Sequence, residues 1–350
     1  MEPANRTGSS WLTDAWQGPR ITATAQCLRP LSWLYGGLAA SHAALYRLGF
    51  FKRQRAPRPL LVVGNLVAGG AGKTPAVMAI VRLLAEQGWT PGVISRGHGR
   101  RSDAVLAVRR DSAAQQVGDE PLLIHLRTGV PVVVGRERAR AAQALCAAHP
   151  DVDILVADDG LQHHRLHHDM AVWVFDDRGA GNGLQLPAGP LRQTMPEQVP
   201  PHVRVLYSAG RASTALPGFV GHRRLAGLQP LQDWWTHPQR SLSDTGWASL
   251  LEPGRAAIVA AAGLARPEPF FRMLQGLGLT IQPLALPDHH AFDVLPWPEG
   301  TARVVVTEKD AVKLSLAAMG STQVWVARLD FDPEPAFGEA LRQLCAPYKT

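Results

Sequence analysis

Cysteine is nearly absent from this chain. Cys27, Cys146 and Cys345 are the only three in 350 residues, they lie far apart, and none belongs to a Cys-x-x-Cys pair. That excludes a disulfide framework and a structural zinc site of the usual spacing, and leaves the thiols as idle or buried groups of a reducing compartment. Repeats and polar low-complexity tracts are missing as well: Gly 33 and Pro 28 punctuate apolar runs without forming a period. Residues 1–17 carry acidic side chains and lack a basic stretch followed by an apolar core, so no secretory signal is expected there. Long apolar runs are also lacking. Residues 30–46 contain no Asp, Glu, Lys or Arg, but they are interrupted by Ser32, Ser41 and His42. A spanning helix needs roughly 20 apolar residues.

What that segment does have is an interfacial pattern. Trp33, Tyr35, Tyr46, Phe50 and Phe51 stand near its ends, and Arg47, Lys52, Arg53 and Arg55 follow it. Aromatic rings and basic residues at the margins of an apolar stretch predict a helix lying in one leaflet, without spanning. Elsewhere 46% of residues are hydrophobic and 19% charged, the composition of a folded chain long enough for two domains. Lys+Arg 36 against Asp+Glu 29 gives a net charge of +7, which suits an anionic partner: nucleic acid, a phosphorylated metabolite or an anionic membrane surface.

From residue 59 onward, apolar β-branched runs alternate with helical patterns. Strands are expected at 59–63, 92–95, 130–134, 153–157 and 171–175, and helices at 75–87, 120–127 and 137–148. This alternation predicts an α/β fold with a mainly parallel sheet covered on both faces. A second region from about Arg211 has strands at 256–260 and 303–306 with a helix at 268–277 between them, and the Gly/Pro-rich passage 179–201 reads as a connection.

The chemistry is concentrated in a few segments. GNLVAGGAGKTP, residues 64–75, stands directly after a strand and before a helix. Phosphates need inward-pointing backbone N–H groups, which Gly69, Gly70 and Gly72 allow, with Ala71 between them. Lys73 can reach the terminal phosphates, and Thr74 can ligate Mg²⁺. The strict phosphate-loop pattern has glycine where this chain has Val67. DILVADDG, residues 153–160, is an apolar strand ending in carboxylates, the place where phosphate-loop enzymes keep a Mg²⁺-linked aspartate. Asp158 and Asp159 both qualify. Asp119 in VGDEP precedes a helical run and fits a helix cap. The histidines of QHHRLHHD, residues 162–169, have i, i+4 spacing but no matching Cys or Glu set for a transition-metal site.

Taken together these segments resemble the lipid A 4′-kinases (tetraacyldisaccharide 4′-kinases) of Gram-negative bacteria. The resemblance is carried by GNLVAGGAGKTP, SRGHGR (95–100), VGDEP (117–121), VGRER (134–138), DDGLQHH (158–164), LPAGPLR (186–192), PDHHAF (287–292) and VVTEKDAVK (305–313), in the family's order. It implies a P-loop NTPase-type domain over 56–210, a smaller C-terminal α/β domain over 211–350, and a tail with an amphipathic membrane-associated helix over 1–55. It further implies transfer of the ATP γ-phosphate to the 4′-hydroxyl of an acylated glucosamine disaccharide 1-phosphate, giving lipid IVA. The expected place is the cytoplasmic face of the inner membrane, peripheral or monotopic, with no nucleic acid and no obligate protein partner.

Carried over by motif, Gly69 to Thr74 bind nucleotide, and Thr74, Asp158 and Asp159 surround Mg²⁺. Asp119 falls where the family has the carboxylate that activates the acceptor, and His289 falls at its histidine partner, with His290 in reserve. Gln162, Arg136 and Arg192 fall at positions contacting nucleotide or acceptor phosphate. Gln193 departs from the acidic residue usual after GPLR. The alternative is a phosphate-loop GTPase or metal-insertion chaperone, which should carry an N-K-x-D element; TEKD at 307–310 has Glu308 where Asn belongs. A non-catalytic membrane adaptor would leave the clustered Asp, His and Lys without a purpose.

Overall fold

The computed structural model describes residues 15–16, 18, 20–70, 72–100, 102–240, 250–251 and 257–349. In chain order the strands are β1 Leu60–Gly64, β2 Pro91–Ser95, β3 Leu106–Ala107, β4 Val132–Val134, β5 Ile154–Asp158 and β6 Met170–Phe175. They continue with β7 Val203–Tyr207, β8 Phe219–Pro230, β9 Ile258–Ala262, β10 Ile281–Ala285, β11 Arg303–Thr307 and β12 Gln323–Pro333. The helices used below are α1 Ala23–Arg47, α2 Lys73–Glu86, α3 Asp119–Thr128, α4 Arg138–Ala148 and α5 Glu268–Gly276. This is the α/β fold expected from the alternation, with strand and helix ends moved by a residue or two. Residue 256, expected in a strand, lies outside the described residues.

Tertiary contacts resolve two compact units. The first takes the described residues as far as Ala76, then Ile154–His222 and the residues from Pro333 on; the second takes Val77–Asp153 and Arg223–Asp332.

In the first unit β1 is central, with β5 parallel on one side and β6, then β7, parallel on the other. Every residue of β1, β5 and β6 is buried, the near-continuous apolar run that a parallel sheet covered on both faces requires. The register sets Val63 opposite Asp158, so β1 runs into residues 65–72 just where its neighbour ends in carboxylates. Residues 179–201 also belong to this unit. Leu191 pairs antiparallel with Val67, Ala68 N–H donates to the Pro190 carbonyl at 2.7 Å, and Arg192 N–H donates to the Leu66 carbonyl at 2.8 Å. The Gly/Pro-rich passage therefore folds back as a clamp on the loop after β1.

Helix α1 begins upstream of the segment read from sequence. Thr22 Oγ1 caps it by accepting from Ala25 N–H at 3.2 Å, and Pro30 is tolerated inside it. One face is docked: the Ser32 hydroxyl donates to the Gln185 carbonyl (2.7 Å) and accepts from Ala188 N–H (3.0 Å), while Tyr35 donates to the Arg192 carbonyl (3.1 Å). His42 and Tyr46 stack around His164 at 5.7 and 6.1 Å. The other face is an apolar stripe at i, i+3, i+7 spacing, with Leu31, Leu34 and Leu38 each more than half exposed, beside Trp33 at 67%. No described helix is long and apolar enough to cross a membrane.

In the second unit β2 pairs parallel with β4, which pairs antiparallel with β3. A further parallel set runs β10, β9, β11, β12. Helix α5 packs Phe270, Phe271 and Leu274 against Ile258, Ala260 and Val305. The second unit also buries an ionic network. Arg127 donates to Glu308 Oε1 at 2.7 Å and to Asp330 Oδ1 at 2.6 Å, and Glu308 also accepts from Trp234 Nε1 (3.0 Å) and Leu329 N–H (3.1 Å). Removing the cation leaves the buried Glu308 without a counter-charge, while Asp330 keeps Arg328 at 3.3 Å and Arg224 at 3.8 Å. Arg127→Ala is expected to lower stability by about 3–5 kcal/mol in denaturant unfolding. A loss under 1 kcal/mol would mean water reaches these groups.

Candidate active site

Gly69 and Gly72 both adopt positive φ, +91° and +73°, which is how the loop between β1 and α2 turns its backbone toward one centre. Ala71 lies outside the described residues. The fully buried Asn65 braces the loop, its Nδ2 donating to the Gly69 carbonyl at 3.1 Å and its Oδ1 accepting from Lys73 Nζ at 3.1 Å. Val67 is buried against Leu191. The departure from glycine at that position is the anchor of the clamp. Thr74 stands in the first turn of α2.

Asp158 closes β5 as a buried carboxylate, and Asp159 follows with φ +55°, one of the few non-glycine residues in that region. Asp159 Oδ2 is 3.3 Å from Lys73 Nζ and 3.4 Å from Arg192 Nη1. Arg192 Nη1 also donates to Gln162 Oε1 (3.3 Å), and Gln162 Nε2 faces Gln193 Oε1 (3.4 Å). The structure thus brings together Lys73, Asp159, Gln162 and Arg192, four of the residues expected at the nucleotide, its metal or the acceptor phosphate. Asn65 and Arg178 were missed. Arg178 reaches the Gly70 carbonyl at 3.0 Å from the loop after β6, and no spacing rule links it to the phosphate-loop motif.

The histidine stretch does other work. His164 packs on α1, His167 sits 3.5 Å from Asp169, and Asp169 accepts from Leu60 N–H at 2.9 Å at the start of β1. Burial, with His167 and His202 nearby, lowers the pKa of His168 to about 4, so its ring is neutral. Among the described residues no three His, Cys, Asp or Glu side chains converge as a metal site.

A second cluster forms in the second unit. Asp119 is the first residue of α3, and Gly118 takes the cap position without a side-chain bond. Asp119 keeps a first-turn contact, its Oδ1 accepting from Glu120 N–H at 2.9 Å, and adds a distant one: its Oδ2 lies 2.9 Å from His289 Nδ1. His289 has φ +58°, the conformation that turns its ring to the carboxylate. Gly118 and Gly97 make the approach possible, because a Cβ on Gly118 would meet Gly97 Cα at 3.1 Å. The SRGHGR and VGDEP loops therefore touch backbone to backbone, and His98 stacks 5.3 Å from His289. Lys309 Nζ lies 3.1 Å from Glu120, 3.4 Å from Asp288 and 3.3 Å from His289 Nε2. Lys313 Nζ bonds Asp310 at 2.9 Å and stands 3.9 Å from Asp119.

Burial raises the pKa of the Asp119 carboxyl, but the His289 hydrogen bond with the charges of Lys309, His289 and Lys313 outweighs it, leaving the value below the ordinary carboxylate range. His289 is shifted up by its bond to Asp119 against the cost of burial. Burial would lower Lys309, yet Glu120, Asp119 and Asp288 hold it above its usual value. Lys309 and Lys313 lie in VVTEKDAVK, one of the motifs that carry the resemblance, but neither is named as a site residue from sequence; charges directly after an apolar strand are the available signal. Arg136 pairs with Asp103 at 3.1 Å, both largely exposed, and belongs to neither set of contacts. His290 packs edge-on against Phe292.

The family model described as tetraacyldisaccharide-1-P 4′-kinase matches residues 24–346. The tetraacyldisaccharide 4′-kinase of Methylibium petroleiphilum is 50% identical over 345 residues, covering 97% of this chain and 94% of that protein. That of Leptothrix cholodnii is 51% identical over 337 residues, covering 95% of each. In fold the chain is similar to the crystal structure of Aquifex aeolicus LpxK in complex with ATP, with a TM-score of 0.72 and 24% identity over 91% of this chain and 99% of that one.

The bond between Asp119 and His289 makes a prediction that needs no assay. Asp119→Asn removes the negative charge and one of the two carboxylate acceptors that raise His289, so the imidazole should titrate at lower pH than in the unaltered protein. Proton NMR of the ring measures this. An unchanged titration would show that the 2.9 Å contact does not persist in solution.

Proposed function

As the chain belongs to the tetraacyldisaccharide-1-phosphate 4′-kinase family, we propose that it transfers the γ-phosphoryl group of ATP to the 4′-hydroxyl of a tetraacyldisaccharide 1-phosphate, giving lipid IVA. The observation that carries the assignment of roles is the division of polar and charged residues into two sets. Lys73, Asp159, Gln162 and Arg192 gather around the loop after β1, and Asp119 is paired with His289. The first set binds nucleotide with Gly69, Gly70, Ala71, Gly72 and Thr74; the second handles the acceptor hydroxyl. Arg136 is kept as a contact for nucleotide or acceptor phosphate, since its exposed guanidinium is free to exchange Asp103 for a phosphate.

The bond from the γ-phosphorus to the β–γ bridging oxygen breaks, a bond to the acceptor oxygen forms, ADP keeps the electron pair, and the hydroxyl proton passes to Asp119. A carboxylate held below its usual pKa is a weak base, so it orients the hydroxyl and takes the proton late, as a loose phosphoryl-transfer transition state permits. His289 fixes which lone pair of Asp119 is presented. Lys73 and Arg192 share the single carboxylate of Asp159 here, and a nucleotide phosphate would compete for both cations. Mg²⁺ fits the hard oxygen donors Thr74, Asp158 and Asp159, a sparse set that suits an ion keeping water and phosphate ligands. When bound it would neutralise charge on the β- and γ-phosphates. A GTPase is not favoured, since Glu308, standing where the guanine reader's Asn belongs, is buried on Arg127.

Helix α1 is assigned to the cytoplasmic face of the inner membrane. Its docked face is filled by protein, while Leu31, Trp33, Leu34, Leu38 and Phe50 are exposed. Inserting them would contribute several kcal/mol at roughly 25 cal/mol per Å², and Lys52, Arg53 and Arg55 about 1 kcal/mol each on anionic lipid.

Purified protein given labelled ATP and the disaccharide 1-phosphate in detergent micelles should phosphorylate the lipid. Lys73→Ala should lower kcat by about 10²-fold or more while keeping its fold by circular dichroism. Near-normal turnover in that variant would sink the ATP-site assignment. Changing Leu31, Leu34 and Leu38 to Gln should release the protein from anionic vesicles and depress activity on vesicle-borne lipid far more than on micellar lipid. Undiminished co-sedimentation would place membrane contact elsewhere.

A further inference from the structure

Arg178 has no role in the reaction as described, yet it is held against the phosphate loop. It follows β6, the strand beside β1, and its guanidinium forks onto Asp176: Nε is 2.8 Å from Oδ2 and 3.1 Å from Oδ1, and Nη2 is 2.7 Å from Oδ2. Asp176 is buried and holds the Arg178 backbone N–H as well, at 3.1 Å. A forked pair on a buried carboxylate has little freedom to move. Nη2 also donates to the Gly70 carbonyl at 3.0 Å. Nη1 points at Gly69, where an added Cβ would stand 3.2 Å away. Among the described residues Nη1 has no hydrogen-bond acceptor. Lys73 and Arg192, by contrast, both share Asp159.

A rigid cation whose one spare N–H₂ lies over the glycines of a phosphate loop is arranged for an anion there. We propose that Arg178 is a further nucleotide-binding residue whose Nη1 donates to the γ-phosphate of ATP, with Asp176 as its positioning residue. This rests on the kinase reading above and adds a cation supplied in cis to the group that leaves ADP. Charge spreading over the γ-phosphoryl oxygens as the bridging bond breaks is what such an arginine stabilises. A glycine at 69 is then required twice, by its positive φ and by the closeness of the guanidinium.

The test separates a γ-phosphate contact from a brace. Calorimetric Kd values for ATP and ADP, both with Mg²⁺, are measured on the unaltered protein, its Arg178→Ala variant and the Arg178→Ala/Asp176→Asn double variant, which leaves no buried charge unpaired. ATP binding should weaken about 10- to 100-fold with ADP nearly unchanged, and kcat on micellar lipid should fall about 10²- to 10³-fold. Added guanidinium should restore part of the rate in the alanine variant, and Arg178→Lys, which keeps charge but not the fork, should fall between. ATP and ADP weakening together would make Arg178 a loop brace and overturn the proposal, as would no change in either. If the single variant does not fold, the double variant decides by the same comparison. Failure of the unaltered protein to bind ATP would instead overturn the kinase reading.

Discussion

The pairing of β1 with β5 sets the terms for the first unit. With Val63 opposite Asp158, the strand that enters the phosphate loop ends level with the strand that ends in carboxylates. Shifting the register by one residue would turn Asp158 to the other face of the sheet. The two strands are buried throughout, so that slip would also displace a core of Leu60, Leu61, Leu155 and Val156. Apolar packing, which is indifferent to function, thereby holds an acid beside a loop built for phosphate. The clamp from Leu191 and Arg192 depends on the same arrangement, since it pairs with backbone that β1 has already placed.

The second unit solves a different problem, keeping a buried carboxylate ionised. Asp119 is surrounded by His289, Lys309 and Lys313, and those cations are in turn balanced by Glu120, Asp288 and Asp310. Asp310, with no exposed surface, accepts from Gly263 N–H, the Thr307 hydroxyl and Lys313. Each polar group is satisfied by another, which is the condition under which such a network can be buried at all. The backbone contributes too: His289 and Phe292 both sit at φ +58°, so PDHHAF is a sharply turned loop held by its contacts.

Several readings from sequence depended on order along the chain, and these carried over well. Strand, glycine loop and helix appear as β1, residues 65–72 and α2, because local pattern and burial agree there. Asp119 shows the opposite case. A carboxylate at the start of a helix is a cap by local rules; the family motifs point to His289 as its partner, and only the fold brings that residue, far away in the chain, within 2.9 Å. The histidine stretch has i, i+4 spacing without a matching ligand set in the sequence, and in space His164 packs on α1 while His167 turns to Asp169. The passage 179–201 looked like a linker because Gly and Pro are common in linkers, yet the same residues make a clamp whose partner is the phosphate loop.

By itself the sequence determined the fold class, the phosphate loop, the carboxylates after it and the family to which the chain is similar. All of these are written in short spacings that local backbone geometry and apolar periodicity enforce. Only the tertiary structure decided that Val67 is an anchor, that Asn65 braces Lys73, that Arg178 lies over Gly69, and that α1 buries one face while leaving Leu31, Leu34 and Leu38 outside. Those facts rest on hydrogen bonds and packing between residues distant in the chain. No spacing along one sequence encodes which of many polar side chains will meet.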